Sequence, residues 1–142
     1  MKRREFIKSS CISCASLVGV SALTSILNSC ASLPVLKINS SEKMVAVPLS
    51  SFIENQNLLI VKNPQLEFDI LVIKKKDNTY NALYMQCSHQ SQPLTANKSG
   101  LFCASHGSSF DLEGNVTLQP ATQPLKKFKT EIENTNLNIY LN

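Results

Sequence analysis

From Lys43 onward the chain alternates short apolar runs with polar breaks: Met44 to Val47, Leu58 to Val61, Phe68 to Lys74, Tyr80 to Tyr84, Leu101 to Phe102, Val116 to Leu118, Phe128 to Ile132 and Leu137 to Leu141. Runs of this length, bounded by Asn, Asp, Gly and Pro, predict strands and an all-β domain. Ile70-Leu71-Val72-Ile73 is apolar without interruption, the pattern of a strand covered on both faces. Asp77-Asn78 and Glu113-Gly114-Asn115 predict tight turns, because these residues tolerate left-handed backbone or bond their own main chain. After residue 42 no amphipathic segment exceeds three helical turns, and no internal repeat is visible.

With 142 residues the chain accommodates one domain and a targeting segment. The net charge of +4 is concentrated at the start, where Lys2, Arg3, Arg4 and Lys8 face only Glu5. After residue 30 there are ten Lys or Arg and nine Asp or Glu. This near-neutral domain, without a basic stripe interleaved with aromatics, argues against binding nucleic acid. Lys74-Lys75-Lys76 reads most simply as a solvated strand end or turn, with a patch for an acidic partner as the second reading.

The chemistry is concentrated in two short segments. Cys87-Ser88-His89 is followed, after thirteen residues, by Cys103-Ala104-Ser105-His106-Gly107-Ser108, and these hold both histidines of the chain and its only cysteines beyond position 30. Each segment puts a sulfur and a nitrogen two or three residues apart, a spacing suited to a tight loop with a metal at its tip. The pattern resembles the Rieske [2Fe-2S] family, in which one iron takes two Cys and the other two His. His106-Gly107-Ser108-Ser109-Phe110-Asp111 resembles the continuation of that family's second loop, and Pro120-Ala121-Thr122-Gln123-Pro124-Leu125 its proline-rich third loop. A structural zinc site is the alternative, since Zn²⁺ accepts the same ligands. Zinc fingers usually pair Cys with Cys and His with His along the chain, whereas each half here mixes the two. A nucleophilic Cys-His pair fits less well, because nucleophilic chemistry has no use for the duplicate.

The resemblance implies an antiparallel β-sandwich with two cluster-binding loops and one [2Fe-2S] cluster. It assigns Cys87 and Cys103 to the inner iron, His89 and His106 to the outer one, and Ser108 to a hydrogen bond that tunes the cluster. Gly107 also has a local reason, as a residue free to adopt positive φ beside a ligand. Pro120 and Pro124 would stiffen a covering loop. High-potential members carry an extra cysteine in each loop, joined as a disulfide, where this chain has Gln92 and Ser105, and a tyrosine where it has Phe110. The resemblance is therefore to the ferredoxin-like branch, with an intermediate potential inside the family's span of roughly −150 to +300 mV. The expected role is one-electron transfer to or from a redox protein partner or quinol, as a subunit or partner of a respiratory oxidoreductase. Ser109 and Asp111 are expected to serve the strand and turn rather than the cluster. An oxygenase would need two further histidines and a carboxylate for its terminal iron, and no histidine remains.

Residues 1–30 read as an export signal. A basic head precedes a stretch without charge from Ser9 to Leu36, and Arg3-Arg4-Glu5-Phe6-Ile7-Lys8 is similar to a twin-arginine signal. That route suits a protein exported already folded around its cluster. Leu27-Asn28-Ser29-Cys30-Ala31 resembles a bacterial lipobox, so the expectation is attachment through lipidated Cys30, with an uncleaved anchor as the alternative. Either places the domain in the bacterial cell envelope, in the periplasm or on the outer face of the membrane. Cys11 and Cys14 fall inside the signal and are expected to have no redox role. Residues 31–42 read as a polar linker and 43–142 as the domain.

Overall fold

The computed structural model describes residues 32–39 and 43–142. The signal expected over residues 1–30, including Cys11, Cys14 and Cys30, lies outside the described residues. Among those described, no helix is long and apolar enough to cross a membrane.

Eleven strands and one 3₁₀ turn, Leu49–Ser51, follow in order: β1 (Val35–Lys37), β2 (Met44–Pro48), β3 (Leu58–Lys62), β4 (Ile70–Lys74), β5 (Tyr80–Tyr84), β6 (Thr95–Asn97), β7 (Gly100–Phe102), β8 (Ser109–Phe110), β9 (Val116–Leu118), β10 (Lys127–Glu133) and β11 (Asn136–Tyr140). They form a seven-stranded sheet in the order β1-β3-β4-β5-β10-β11-β2 and a four-stranded sheet in the order β6-β7-β8-β9. Every pairing is antiparallel except one: β1 runs parallel to β3, with Val35 opposite Ile60. The architecture is the expected β-sandwich, with this one parallel pair at its edge. Within the segment read as a linker, residues 35–37 form β1, and Leu36 and Ile38 pack against buried side chains of the large sheet.

The continuous run in β4 behaves as its pattern predicts. Ile70 and Val72 point into one core, with Val45, Val47, Leu59, Val61, Ala82, Phe128, Leu137 and Ile139. Leu71 and Ile73 point into another, shared with Leu83, Met85, Leu94, Leu101, Phe110 and Leu125. The period-two alternation of a strand thus makes β4 and β5 a wall between two cores. The second core also contains Cys87 and Cys103, so the small sheet and its loops stand on the back of the large sheet.

Both predicted turns are present. Asn78 (φ 60°) and Gly114 (φ 79°) take the left-handed backbone. Strands β1, β6 and β8 were not expected, each being three residues or fewer, too short to show a period. Gly100 has a different task. A Cβ there would overlap the Phe110 carbonyl oxygen, so glycine lets β7 lie against β8. Gly100→Ala is expected to destabilise the fold by roughly 1–3 kcal/mol through backbone strain, read as a lower denaturant midpoint with an unchanged m-value.

Candidate metal centre

The small sheet ends in three loops, and the first two close in the same way. After β5, Leu94 N–H donates to the Met85 carbonyl (3.0 Å), Gln86 bridges Pro93, and Cys87 N–H donates to the Gln92 carbonyl (2.8 Å). Between β7 and β8, Cys103 N–H donates to the Ser108 carbonyl (2.9 Å) and Gly107 N–H returns to the Cys103 carbonyl (3.0 Å). Each cysteine is therefore the first residue of a six-residue tip, closed by its own N–H. Gly107 (φ 86°) makes the reversal, with no protein atom within 4 Å of where its Cβ would be.

A third loop, between β9 and β10, ties the two tips down. Ala121 N–H donates to Ser108 Oγ (3.0 Å) from one side, and Ser88 Oγ donates to the Gln123 carbonyl from the other. Leu125 N–H donates to the Gly114 carbonyl (2.8 Å), anchoring the end of this loop. Ser88 was quoted in the motif without a role, and the structure gives it one. Its partner lies 35 residues away, a pairing that local spacing cannot reveal.

The donor atoms sort by type. Cys87 and Cys103 are buried, and both thiols are free. Burial pushes the Cys103 thiol up, but hydrogen bonds from the Ser105 backbone, the Cys87 side chain and the His106 backbone outweigh it, leaving Cys103 below the ordinary cysteine value. That direction favours the thiolate that binds metal. His89 and His106 are exposed, with ring centroids 5.2 Å apart and planes at 88°. The two sulfurs are thus buried and the two imidazoles exposed.

The family model for the Rieske [2Fe-2S] domain matches residues 43–129. The chain belongs to the Rieske family. A Rieske domain carries one [2Fe-2S] cluster and transfers electrons, and the donor set fits that group: two soft thiolates, two imidazoles, and the open space above Gly107. Ser108 fits as well. Its fully buried hydroxyl accepts from Ala121, which leaves its O–H free to donate.

Solved structures agree on the Rieske fold. The plasma membrane Rieske protein PetC3 of the cyanobacterium Synechocystis PCC 6803 is 20% identical, with a TM-score of 0.56 over 67% of this chain and 97% of that one. A chain from the complex of reduced oxygenase and oxidized ferredoxin in carbazole 1,9a-dioxygenase is 19% identical, with a TM-score of 0.50 over 68% and 92%. A naphthalene 1,2-dioxygenase mutant is 18% identical with a TM-score of 0.55, and this chain spans 25% of its length. No curated protein matches the sequence.

Asp111 serves the turn, as expected. Its Oδ1 accepts from the N–H groups of Glu113 (2.9 Å) and Asn115 (2.8 Å), and its Oδ2 from Asn115 Nδ2 (3.1 Å). Burial pushes its carboxyl up, but the Asn115 and Glu113 hydrogen bonds and nearby Lys127 hold it below the usual carboxylate range. A lowered folded value makes its contribution complete above the unfolded-state value and lost as pH falls through the folded one. Asp111→Asn should therefore unfold at a lower temperature than wild type by a constant margin down to about pH 5, and the margin should shrink at lower pH. Thermal scans of both proteins across that range check this.

Proposed function

We propose that this protein is a membrane-attached one-electron carrier in which Cys87 and Cys103 hold the inner iron and His89 and His106 the outer one. The sorting of buried sulfur and exposed nitrogen carries this reading. When bound, the cluster supplies reversible one-electron chemistry, with a potential set by ligand type, hydrogen bonds and exposure. The chain's residues do the rest. The thiols anchor to the core, the imidazoles present an edge to solvent, and Ser108 O–H is placed to stabilise the more negative reduced state. Phe110 is buried beneath and contributes packing without a hydroxyl.

Attachment through lipidated Cys30, or through an uncleaved anchor, would hold the domain in the bacterial cell envelope, on the periplasmic or outer face of the membrane. There a redox protein or quinol can reach it, and the natural setting is a respiratory oxidoreductase. The two-residue basic pair and the cysteine at the end of the apolar stretch support this placement.

Reduction with dithionite should bleach the visible absorption and produce the paramagnetic signal of a mixed nitrogen and sulfur cluster, whereas a zinc protein would be colourless and silent. Cys87→Ala should abolish the signal and raise amide exchange in both tips. Ser108→Ala should keep the signal but lower the midpoint potential by roughly 50 mV, equivalent to about 1 kcal/mol of differential hydrogen bonding for one electron. An unchanged midpoint would remove Ser108 from the tuning role. For attachment, Cys30→Ala should move the protein from the membrane to the soluble fraction. Full retention in the membrane would favour the uncleaved anchor.

A further inference from the structure

Four residues form a row across one face of the large sheet. Lys37 on β1 is the register partner of Lys62 on β3. The row continues through Asp69, whose carboxylate lies 3.1 Å from Lys62 Nζ, to Met85, whose N–H donates to the Asp69 carbonyl (2.9 Å). Leu36, Val61 and Ile70 pack into one core, so side-chain alternation turns their neighbours Lys37, Lys62 and Asp69 to the opposite face. That is the face of the second core, where Met85 is buried with Cys87 and Cys103.

Like charges directly opposite each other on neighbouring strands repel. A lysine on an edge strand guards against pairing with another chain, which accounts for Lys37 but not for Lys62, because β3 lies between β1 and β4. Asp69 balances one of the two charges, and among the described residues Lys37 makes no ion pair. Both lysines line a cavity of about 520 Å³, together with Asn39, Asn63, Leu66 and Asp69, a volume within the range of small-molecule sites. One wall is a closed turn. Asn63, 4% exposed, accepts from Gln65 N–H through Oδ1 (3.1 Å), and Leu66 N–H donates to the Asn63 carbonyl (3.0 Å). Glu67, the other acid of this loop, is exposed and does not line the cavity.

We propose that this cavity is a binding site for a phosphate-class oxyanion, held between the Lys37 and Lys62 ammonium groups with the Asn39 amide as a further donor. A carboxylate, Asp69, already meets half of the lysine pair. A phosphate group carries nearly two negative charges and three acceptor oxygens, enough to engage both lysines while Lys62 keeps Asp69. Leu66 offers contact to the carbon part of an organic phosphate. A soluble phosphate ester and a lipid headgroup share this chemistry. The bound charge lies in the row that ends at Met85, on the face of the sheet that receives the electron, so the oxidised protein binds the anion more tightly than the reduced one. This coupling rests on the electron-carrier reading, whereas binding does not.

Full-length protein in neutral detergent, titrated with glycerol 3-phosphate at an ionic strength held constant with chloride, should show saturable amide shifts at Lys37, Asn39 and Lys62. The expected dissociation constant is about 1 mM. Lys37→Gln should weaken binding roughly tenfold, and Lys98→Gln, which alters a lysine outside the cavity, should leave it unchanged. Shifts that stay linear to ~50 mM, or equal weakening by the two variants, would overturn the site. Oxidised protein should bind roughly threefold more tightly than reduced protein, and equal affinities would overturn the coupling. Doping the detergent with phosphatidylglycerol separates the sources: the same shifts at Lys37 and Lys62 assign a lipid headgroup, and their absence assigns a soluble ester. Absence of the paramagnetic signal in reduced wild type would be a different failure, which removes the electron-carrier reading and the coupling and leaves the site to stand on the titration.

Discussion

The site depends on how two hairpins end. Cys87 and Cys103 each donate their own N–H to the carbonyl five residues on, so each tip is a closed ring with its cysteine at the base. That position roots the sulfur in the core through the strand before it. The histidine, two residues on in one tip and three in the other, is pushed to the outside. Buried thiols and exposed imidazoles therefore follow from loop closure before any metal is considered. A metal pair bound there meets an asymmetric environment, apolar behind and aqueous in front, and exposure is one of the levers on potential.

Closure of each ring does not bring the rings together. Here the third loop acts, with one bond to each tip: Ser108 Oγ to Ala121 N–H and Ser88 Oγ to the Gln123 carbonyl. The first of these is buried, where a hydrogen bond is strengthened by its low-dielectric surroundings and leaving it unmade is expensive. High-potential relatives have a disulfide joining two positions that here are Gln92 and Ser105. In this chain Gln92 acts through its main chain, as acceptor for Cys87 N–H, while Ser105 bonds toward Cys103 through both its backbone and its side chain. Hydrogen bonds of this kind hold each tip in form without the covalent link.

The strand pattern was legible wherever a run was long enough to have a period. Ile70 to Ile73 read as a strand covered on both faces because four apolar residues in a row leave no polar side, and the two cores divide its side chains alternately. β1, β6 and β8 escaped because two or three residues carry no periodicity; β7 and β9, as short, were expected only because Leu101-Phe102 and Val116 with Leu118 stand out as apolar between turn residues. β1 in addition lies among Pro, Asn and Ser residues that read as a connector. Cys87, His89, Cys103 and His106 stood out by type and spacing, and the proposal that they are the donors rests on the family resemblance. Their arrangement in space was not: the sorting of sulfur from nitrogen, the reach of Ser88 to Gln123 and the overlap avoided at Gly100 all join residues distant in sequence. Lys75 shows the same limit. Its triplet read as a solvated strand end or turn, yet Lys75 pairs with Glu113, 38 residues on.

Charge is distributed unevenly over the small sheet. A sheet of four short strands has two ends, and every charge between Asn78 and Leu125 has been kept at one of them. Solubility would be served as well by charges at either end, so solubility alone does not account for the bias. Folding does not account for it either, since the tip positions Gln90, Ser91, Ala104 and Gln123 are exposed and a charged side chain there would disturb no core. What a charge at the tip would change is the field at the imidazoles. That field shifts the free energy of adding an electron and decides which partners approach. Neutral loops add no charge of their own to that field, which leaves it to charges at their base, such as the Lys62–Asp69 pair beside Met85.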